Sequence, residues 1–235
     1  MDAATKGNIE KIKSTLKKAQ EQNITSSILN AQDDQGYSAL HSAIYNNHDA
    51  VVDELLKNNC NVNTTLNERS NQEDYEEDGY TYNGLFEGRS PLMDASYGGQ
   101  LSLVEKLIKH NAQIDAVEKT KCNAVVYAAQ RGHVEILNIL LKKNQSLSDQ
   151  GGHQNTTPLG AAAWNGHLNV VKELIQNWRV DINSQNQFGS TPLHVATEYN
   201  HTDVIEFLLQ SGADPSIKDN DGKVALDYAK DRESQ

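Results

Sequence analysis

Eight histidines, two cysteines and a dense acidic run are the side chains of this 235-residue chain that could hold a metal, attack a carbonyl or shuttle a proton. The acidic run comes closest to a known chemical pattern. Asp74-x-Glu76-x-Asp78-Gly79 imitates the opening of a calcium loop, in which alternating carboxylates and a glycine wrap a hard cation. The position that should close the shell with a bidentate glutamate is Leu85, and no helical pattern flanks the segment. No calcium site is expected there. Cys60 and Cys122 are isolated, without a CxxC spacing and with nothing nearby in sequence to depress a thiol pKa. Two lone thiols make no disulfide framework and point to a reducing, intracellular setting.

The histidines fall into register. His48, His133, His167 and His201 share one recurring position, written Gly-His at 132–133 and 166–167, and His41 and His194 share a second, written Thr-Pro-Leu-His at 191–194. Only His110 and His153 lie off the pattern, far apart and with no partnering cysteine, so metal ligation is not expected. The chain has no G-x-S-x-G and no P-loop, and Gly98-Gly99 and Gly151-Gly152 read as turns. No catalytic residue and no cofactor is expected, and the chain is read as a non-enzyme.

What recurs is a whole unit. It runs as Ser/Thr-Pro-Leu, small residues, Gly-His, then an apolar stretch ending in paired aliphatics. Copies start at Ser38, Ser90, Asn123, Thr157 and Thr191, with a degraded one at Val224, so the intervals are 52, 33, 34, 34 and 33 residues. One long interval in a fixed period means an insertion of about 19 residues. Ser or Thr before Pro puts a hydroxyl at a helix N-cap and Pro at the first helical position, where its missing N–H costs nothing. Ala128-Ala129 and Ala162-Ala163 keep the first helix slim, and glycines 99, 132 and 166 end it in a conformation other residues resist. Val134, Leu137, Leu140 and Leu141 mark an apolar stripe on a second helix. A hydrophobic content of 37% is thin for one deep core but suits units that share a core with their neighbours.

This pattern resembles the ankyrin repeat, whose period is about 33 residues and whose signature is T-P-L-H-x-A. The resemblance covers residues 34–230 apart from the insertion. It implies an all-α repeat solenoid of helix-loop-helix units joined by β-hairpin fingers. The expected boundaries are a capping repeat at 1–33, repeats at 34–63, 88–116, 117–150, 151–185 and 186–218, an acidic aromatic insertion at 64–87, and a capping half-repeat at 219–235. Ala3 to Asn8 reads as the end of a first helix and Ile9 to Leu16 as a second, followed by a loop around Gln20–Ser27 about seven residues longer than usual. That opening helix is short enough to suggest a chain trimmed from a longer one. Trp178-Arg179-Val180 stands where Gly-Ala is usual, one residue longer.

By resemblance, the residues that meet a partner lie on hairpin tips and on the concave side of the first helices. Carried over by position, the helix-end pairs are Tyr45-Asn46, Tyr97-Gly98, Gln130-Arg131, Trp164-Asn165 and Glu198-Tyr199, and the fingers add Asp34, Gln35, Tyr37, Phe86, Glu87, Lys119, Gln187 and Phe188. Aromatics are 6% of the chain yet occupy four of these five pairs, and Tyr and Trp are favoured interface anchors. The candidate binding residues are Tyr37, Tyr45, Tyr97, Arg131, Trp164, Phe188 and Tyr199, with Tyr75, Tyr80, Tyr82 and Phe86 from the insertion. The alternative is that these rings cover the junction between helices and fingers. Between positions 64 and 87 stand seven acids against Arg69, so six of the chain's eleven net negative charges lie there. Acid mixed with rings could clamp a basic segment, or the stretch could be a solvated excursion.

A net charge of −11 argues against nucleic acid and anionic membranes as ligands, since both call for clustered cations. The expected partner is a protein with a basic segment, and the oligomeric state is left open. The N-terminus lacks the apolar core of a signal peptide, and no apolar run spans a membrane. A soluble, cytoplasmic protein is expected, with the host cytoplasm as the setting for a secreted effector. Two other roles stay open: the substrate-recruiting part of a larger enzyme or effector, and an architectural subunit of a large complex.

Overall fold

In the computed structural model, residues 2–33, 36–66, 76–77, 80–81 and 87–233 are described, with the side chains of 76–81 and 231–233 left aside. The chain divides into two compact units, residues 1–119 and 120–235. The first contains α1 (Asp2–Thr5), α2 (Ile9–Glu21), α3 (Thr25–Leu29), α4 (Ala39–Tyr45), α5 (Asp49–Lys57), α6 (Pro91–Tyr97) and α7 (Leu101–Lys109), with the short strands β1 (Glu76–Glu77) and β2 (Tyr80–Thr81). The second contains α8 (Ala124–Gln130), α9 (Val134–Lys143), α10 (Pro158–Trp164), α11 (Leu168–Glu173), α12 (Pro192–Glu198), α13 (Thr202–Gln210) and α14 (Ala225–Glu233). In each unit first helices pack on first helices, α1 on α4 on α6 and α8 on α10 on α12 on α14. Second helices form a parallel layer, α2 on α5 and α9 on α11 on α13. No repeat closes a core by itself, so stacking supplies it.

The first helices begin where the sequence places them. Ser38, Ser90, Asn123, Thr157 and Thr191 each cap a helix by accepting a backbone N–H two or three residues ahead. His41 and His194 complete two of these caps and reach the next repeat. Nδ1 of His41 accepts from Ser38 Oγ at 2.8 Å while its Nε2–H donates to the Arg89 carbonyl at 3.3 Å. His194 does the same with Thr191 Oγ at 2.8 Å and the Lys223 carbonyl at 3.2 Å.

A second set of imidazoles crosses each gap in the opposite sense. Nε2 of His48, His167 and His201 donates to the carbonyls of Thr5, Gln130 and Trp164 at 2.9, 2.9 and 2.7 Å. The glycines that end those helices, Gly7, Gly132 and Gly166, have φ of +64°, +78° and +70°. A Cβ on them would stand 2.7, 2.9 and 2.5 Å from the Nδ1 of the same three histidines. Glycine is therefore required twice over, for its backbone and for the ring beside it. Where Gln100 replaces the histidine, its side-chain amide donates to the Ile44 carbonyl at 2.7 Å and also bonds the Asn47 side chain. Asn47 takes the glycine position there, at φ +57°. The second-helix loops are laced by side-chain oxygens: Asn30 accepts from Asn61 N–H and Asn63 from Gln113 N–H, as Asp149 does from Asp181 and Asn183 from Asp214.

The fingers are brief. Asp33 N–H to Tyr37 O, Gly152 to Thr156, Asn186 to Ser190 and Asp219 to Lys223 each close one across four positions. Gln32 pairs with Ser38 as a single bridge, and no finger of this ordinary kind extends into strands among the described residues. At the insertion the same bond runs from Leu66 N–H to Arg89 O, at 3.0 Å, with Gly88 N–H returning to Leu66 O at 2.8 Å. It spans 23 positions instead of four, so 19 residues are added at the tip of one finger. Within them β1 and β2 pair antiparallel, Glu76 opposite Thr81 and Glu77 opposite Tyr80. The intervening Asp-Gly is a dipeptide that tight hairpins favour.

Two irregularities take forms the sequence did not announce. The loop expected around Gln20–Ser27 is shorter: α2 continues to Glu21 and α3 follows at Thr25, leaving only residues 22–24 between them. At Trp178, α11 runs into a π-helical turn over Leu174–Trp178, and Arg179 ends it at φ +53°, ψ +44°. The wider turn absorbs the extra residue. The indole Nε1–H then donates to Asn138 Oδ1 on the preceding repeat at 2.8 Å, which gives that ring a structural role.

Gly166→Ala is expected to cost more than about 1 kcal/mol, from its positive φ and the ring beside it, read from the urea midpoint. Replacing His201 by Ala in the same chain should recover part of that loss; strictly additive effects would show that the imidazole does not press on residue 166. Burial, ahead of the nearby charges, pushes the His41 pKa below its ordinary value. The native ring is held neutral, so the unfolded chain takes up protons first as pH falls. Stability from this residue should be complete above a pH of about 6.5 and decline below it. His41→Gln should reduce the slope of stability against pH between about 7.5 and 5.5; an unchanged slope would contradict this.

Candidate functional site

The candidate side chains stand at or next to helix ends, and at Trp164 the carbonyl of the last helical residue is taken by His201 of the next repeat. Tyr45, Tyr97 and Trp164 are the last residues of α4, α6 and α10, and Arg131 and Tyr199 follow α8 and α12 directly. Tyr45 is 74% exposed and Tyr199 40%, Arg131 is exposed, and Tyr97 and Trp164 are half-buried. Phe188 stands on a finger, 50% exposed, while its carbonyl accepts the Asn220 N–H.

Among these residues Trp164 and Tyr199 meet directly, with ring centroids 5.4 Å apart and planes tilted by 37°. Such a pair offers a broad ring surface with little conformational entropy left to lose on binding. Glu198 lies next to it in sequence. Desolvation raises its carboxyl pKa and the negative charge of Asp219 adds to the rise. Asp219 in turn accepts the Tyr228 hydroxyl at 2.5 Å and the N–H groups of Asp221 and Lys223.

In the first unit, Tyr97 is held from below. The Arg89 guanidinium lies 4.8 Å from the centre of its ring and pairs with Asp94 at 2.8 Å, both charged side chains being almost wholly buried. A buried pair of this kind is costly to break from one side, about 3–5 kcal/mol, so Tyr97 rests on a rigid support. Tyr37 is half-buried and stands edge-on to the His41 ring, with centroids 6.2 Å apart. Its ring covers the cap as well as facing out. Glu87, at the insertion stem, pairs with Lys119 at 2.7 Å, which neutralises one of the acids of that stretch. Asp34, Gln35, Tyr75, Tyr82, Phe86 and the side chain of Tyr80 lie outside the described residues. The Arg89–Asp94 support and the Trp178 indole bond were missed from sequence; Arg89 beside the Ser-Pro cap was the available signal for the first.

Neither cysteine is presented for chemistry. Burial pushes the Cys60 thiol up to about 11, and Cys122, also buried, accepts the His153 N–H at 3.1 Å. Among the described residues no group of three or more His, Cys, Asp and Glu is placed to hold a metal ion, and no helix is long and apolar enough to cross a membrane.

A family model of ankyrin repeats matches residues 69–151, 92–186 and 159–234, and a model of the single ankyrin repeat matches residues 35–67. Over 128 residues the chain is 27% identical to neurogenic locus notch homolog protein 1 of Xenopus laevis. That match takes in 54% of this chain and 4% of the other protein's length. With the family models running across nearly the whole sequence, and with caps, glycine-ended helices and stacked helix pairs in both units, the chain belongs to the ankyrin-repeat family.

Proposed function

We propose that this chain, built of repeats that are in general interaction modules and not catalysts, binds a partner protein that presents a basic segment, using the helix ends and fingers as the contact surface. The Trp164–Tyr199 pair carries the reading. Two large rings are brought together at the rim of the first helices, partly exposed, where a packed core has no need of them. Glu198 beside them supports a cationic ligand, since a positive charge would offset the desolvation and the Asp219 repulsion that raise its pKa. The net charge of −11, concentrated in the insertion, adds long-range steering toward a basic partner. The same charge argues against nucleic acid and anionic membranes as ligands, and the absence of a disulfide between two buried thiols suits a cytoplasmic setting.

Affinity capture with the intact chain, beside Trp164→Ala and a variant lacking residues 68–86, tests this. The deletion removes 19 residues and restores the four-position stem. Trp164→Ala should weaken the captured partner's binding by more than about 1 kcal/mol, roughly fivefold or more, with the melting temperature changed little. A large fall in melting temperature with affinity intact would make the ring structural. Partners lost only from the deletion would give the insertion its share, and association rates should fall as salt rises.

A further inference from the structure

Helices α4, α6, α8, α10, α12 and α14 each carry an apolar residue at their second position. Five of the six bury it: Leu40, Leu92, Val125, Leu159 and Leu193 are at most 3% exposed. Each of those helices packs against a second helix of its own repeat, α4 on α5 and so on to α12 on α13. Leu226 holds the same place on α14 and is 61% exposed. Among the described residues no second helix follows α14.

The second-helix layer ends in the same way. At the fourth position of these helices Val52, Val104, Leu137 and Val171 are fully buried, whereas Ile205 of α13 is only half-buried. At the eighth, Leu56 and Leu141 are buried and Ile108 is half-buried, but Leu209 is 45% exposed. Within residues 120–235, α9 packs on α11 and α11 on α13, so α13 leaves open the positions that its predecessors close. Large apolar side chains exposed together in this way mark an interaction surface. The surroundings are acidic, with seven acids against three lysines between residues 198 and 230. Asp203 and Glu206 stand exposed on α13 itself, while Lys230 of α14 is paired with Asp227 at 3.3 Å.

We infer that this open step receives a basic amphipathic helix of the partner protein, seated as the second helix of the last repeat. The layer it continues gives its form and length: α5, α7 and α13 have nine residues and α9 has ten. Leu226 on one side and Ile205 and Leu209 on the other call for apolar residues at helical spacing. Asp203 and Glu206 call for Lys or Arg on the helix's flank. The inference rests on the reading that the chain binds a protein with a basic segment, and it adds the shape and the seat of that segment.

The probe is a fluorescein-labelled peptide of residues 131–146 of this chain, which contains α9 and carries three bases against one acid. Its anisotropy should rise to saturation with the full chain, with a dissociation constant on the order of 100 μM, because so short a helix must also be nucleated on binding. Leu226→Asp should weaken binding at least about tenfold by placing a charge against the apolar face. Its melting temperature should hardly move, since the side chain is exposed and an acid suits the first turn of a helix. Glu206→Lys should weaken binding at low salt and much less at high salt. A peptide carrying Leu137→Asp and Leu140→Asp should not bind, and this control needs no variant of the chain. Absence of saturation, equal binding by a folded Leu226→Asp chain, or an equal response to the substituted peptide would each overturn the inference. Self-association of the chain alone in sedimentation, lost in Leu226→Asp, would seat a second copy there and overturn it too. Trp164→Ala should bind the peptide as the parent chain does, so failure at this seat is read separately from failure at the Trp164–Tyr199 pair.

Discussion

Within each unit, neighbouring repeats are joined by one recurrent interaction, a side chain that crosses the gap to accept the role of the missing helical partner for a carbonyl at a helix end. Helix C-termini leave carbonyls unsatisfied, and burying them without a donor is expensive. His48, His167 and His201 supply that donor, and Gln100 does so at one junction. The interaction imposes its own sequence. A left-handed residue must end the helix, and it must be glycine wherever the ring lies against it. Asn47, which faces the glutamine instead, shows that the constraint lapses when the ring is absent. The lock also determines where the helices stop, and therefore which residues stand at their rims.

Much of this was legible in the sequence because it repeats in phase. The caps at Ser38, Ser90, Asn123, Thr157 and Thr191, the glycine stops and the two histidine registers recur in phase at 33 or 34 residues once the insertion is set aside, and each has a local physical cause. What was not legible depends on geometry between repeats. The bond from Trp178 to Asn138 needs the π-helical turn that brings the indole over α9, and a single extra residue in the sequence does not specify how a helix will absorb it. The helical course of most of residues 17–29 went unread because its buried apolar residues, Ala19 and Leu29, are few, while Ile24 and Ile28 are exposed. For the candidate surface, repeat position located Trp164 and Tyr199, but their ring contact follows from side-chain direction across two helices. The Arg89–Asp94 pair beneath Tyr97 joins residues on either side of a cap and has no periodic signature.

The rim residues draw their character from what lies behind them. Tyr97 sits on a buried ion pair and Trp164 ends a helix whose carbonyl is already bonded. Rings held in this way lose little freedom when a partner covers them, which favours binding over adaptation. The neighbouring carboxylates work in the other direction. Asp219 is satisfied by Tyr228 and two N–H groups, whereas Glu198 has its charge disfavoured by burial and by Asp219 itself. On the proposed contact surface, an acidic rim whose charge is disfavoured in this way would discriminate between ligands by sign before shape is tested.

The stem formed by Leu66 and Arg89 has an evolutionary implication. Because the bond that closes a four-position finger also closes this one, the surrounding stack experiences no difference between them. By loop-closure entropy, closing a chain over 23 positions instead of four costs only about 1.5 kcal/mol. Such a junction acts as a neutral socket, where new segments can be spliced in, diversified or discarded with almost no mechanical consequence for the stack that carries them.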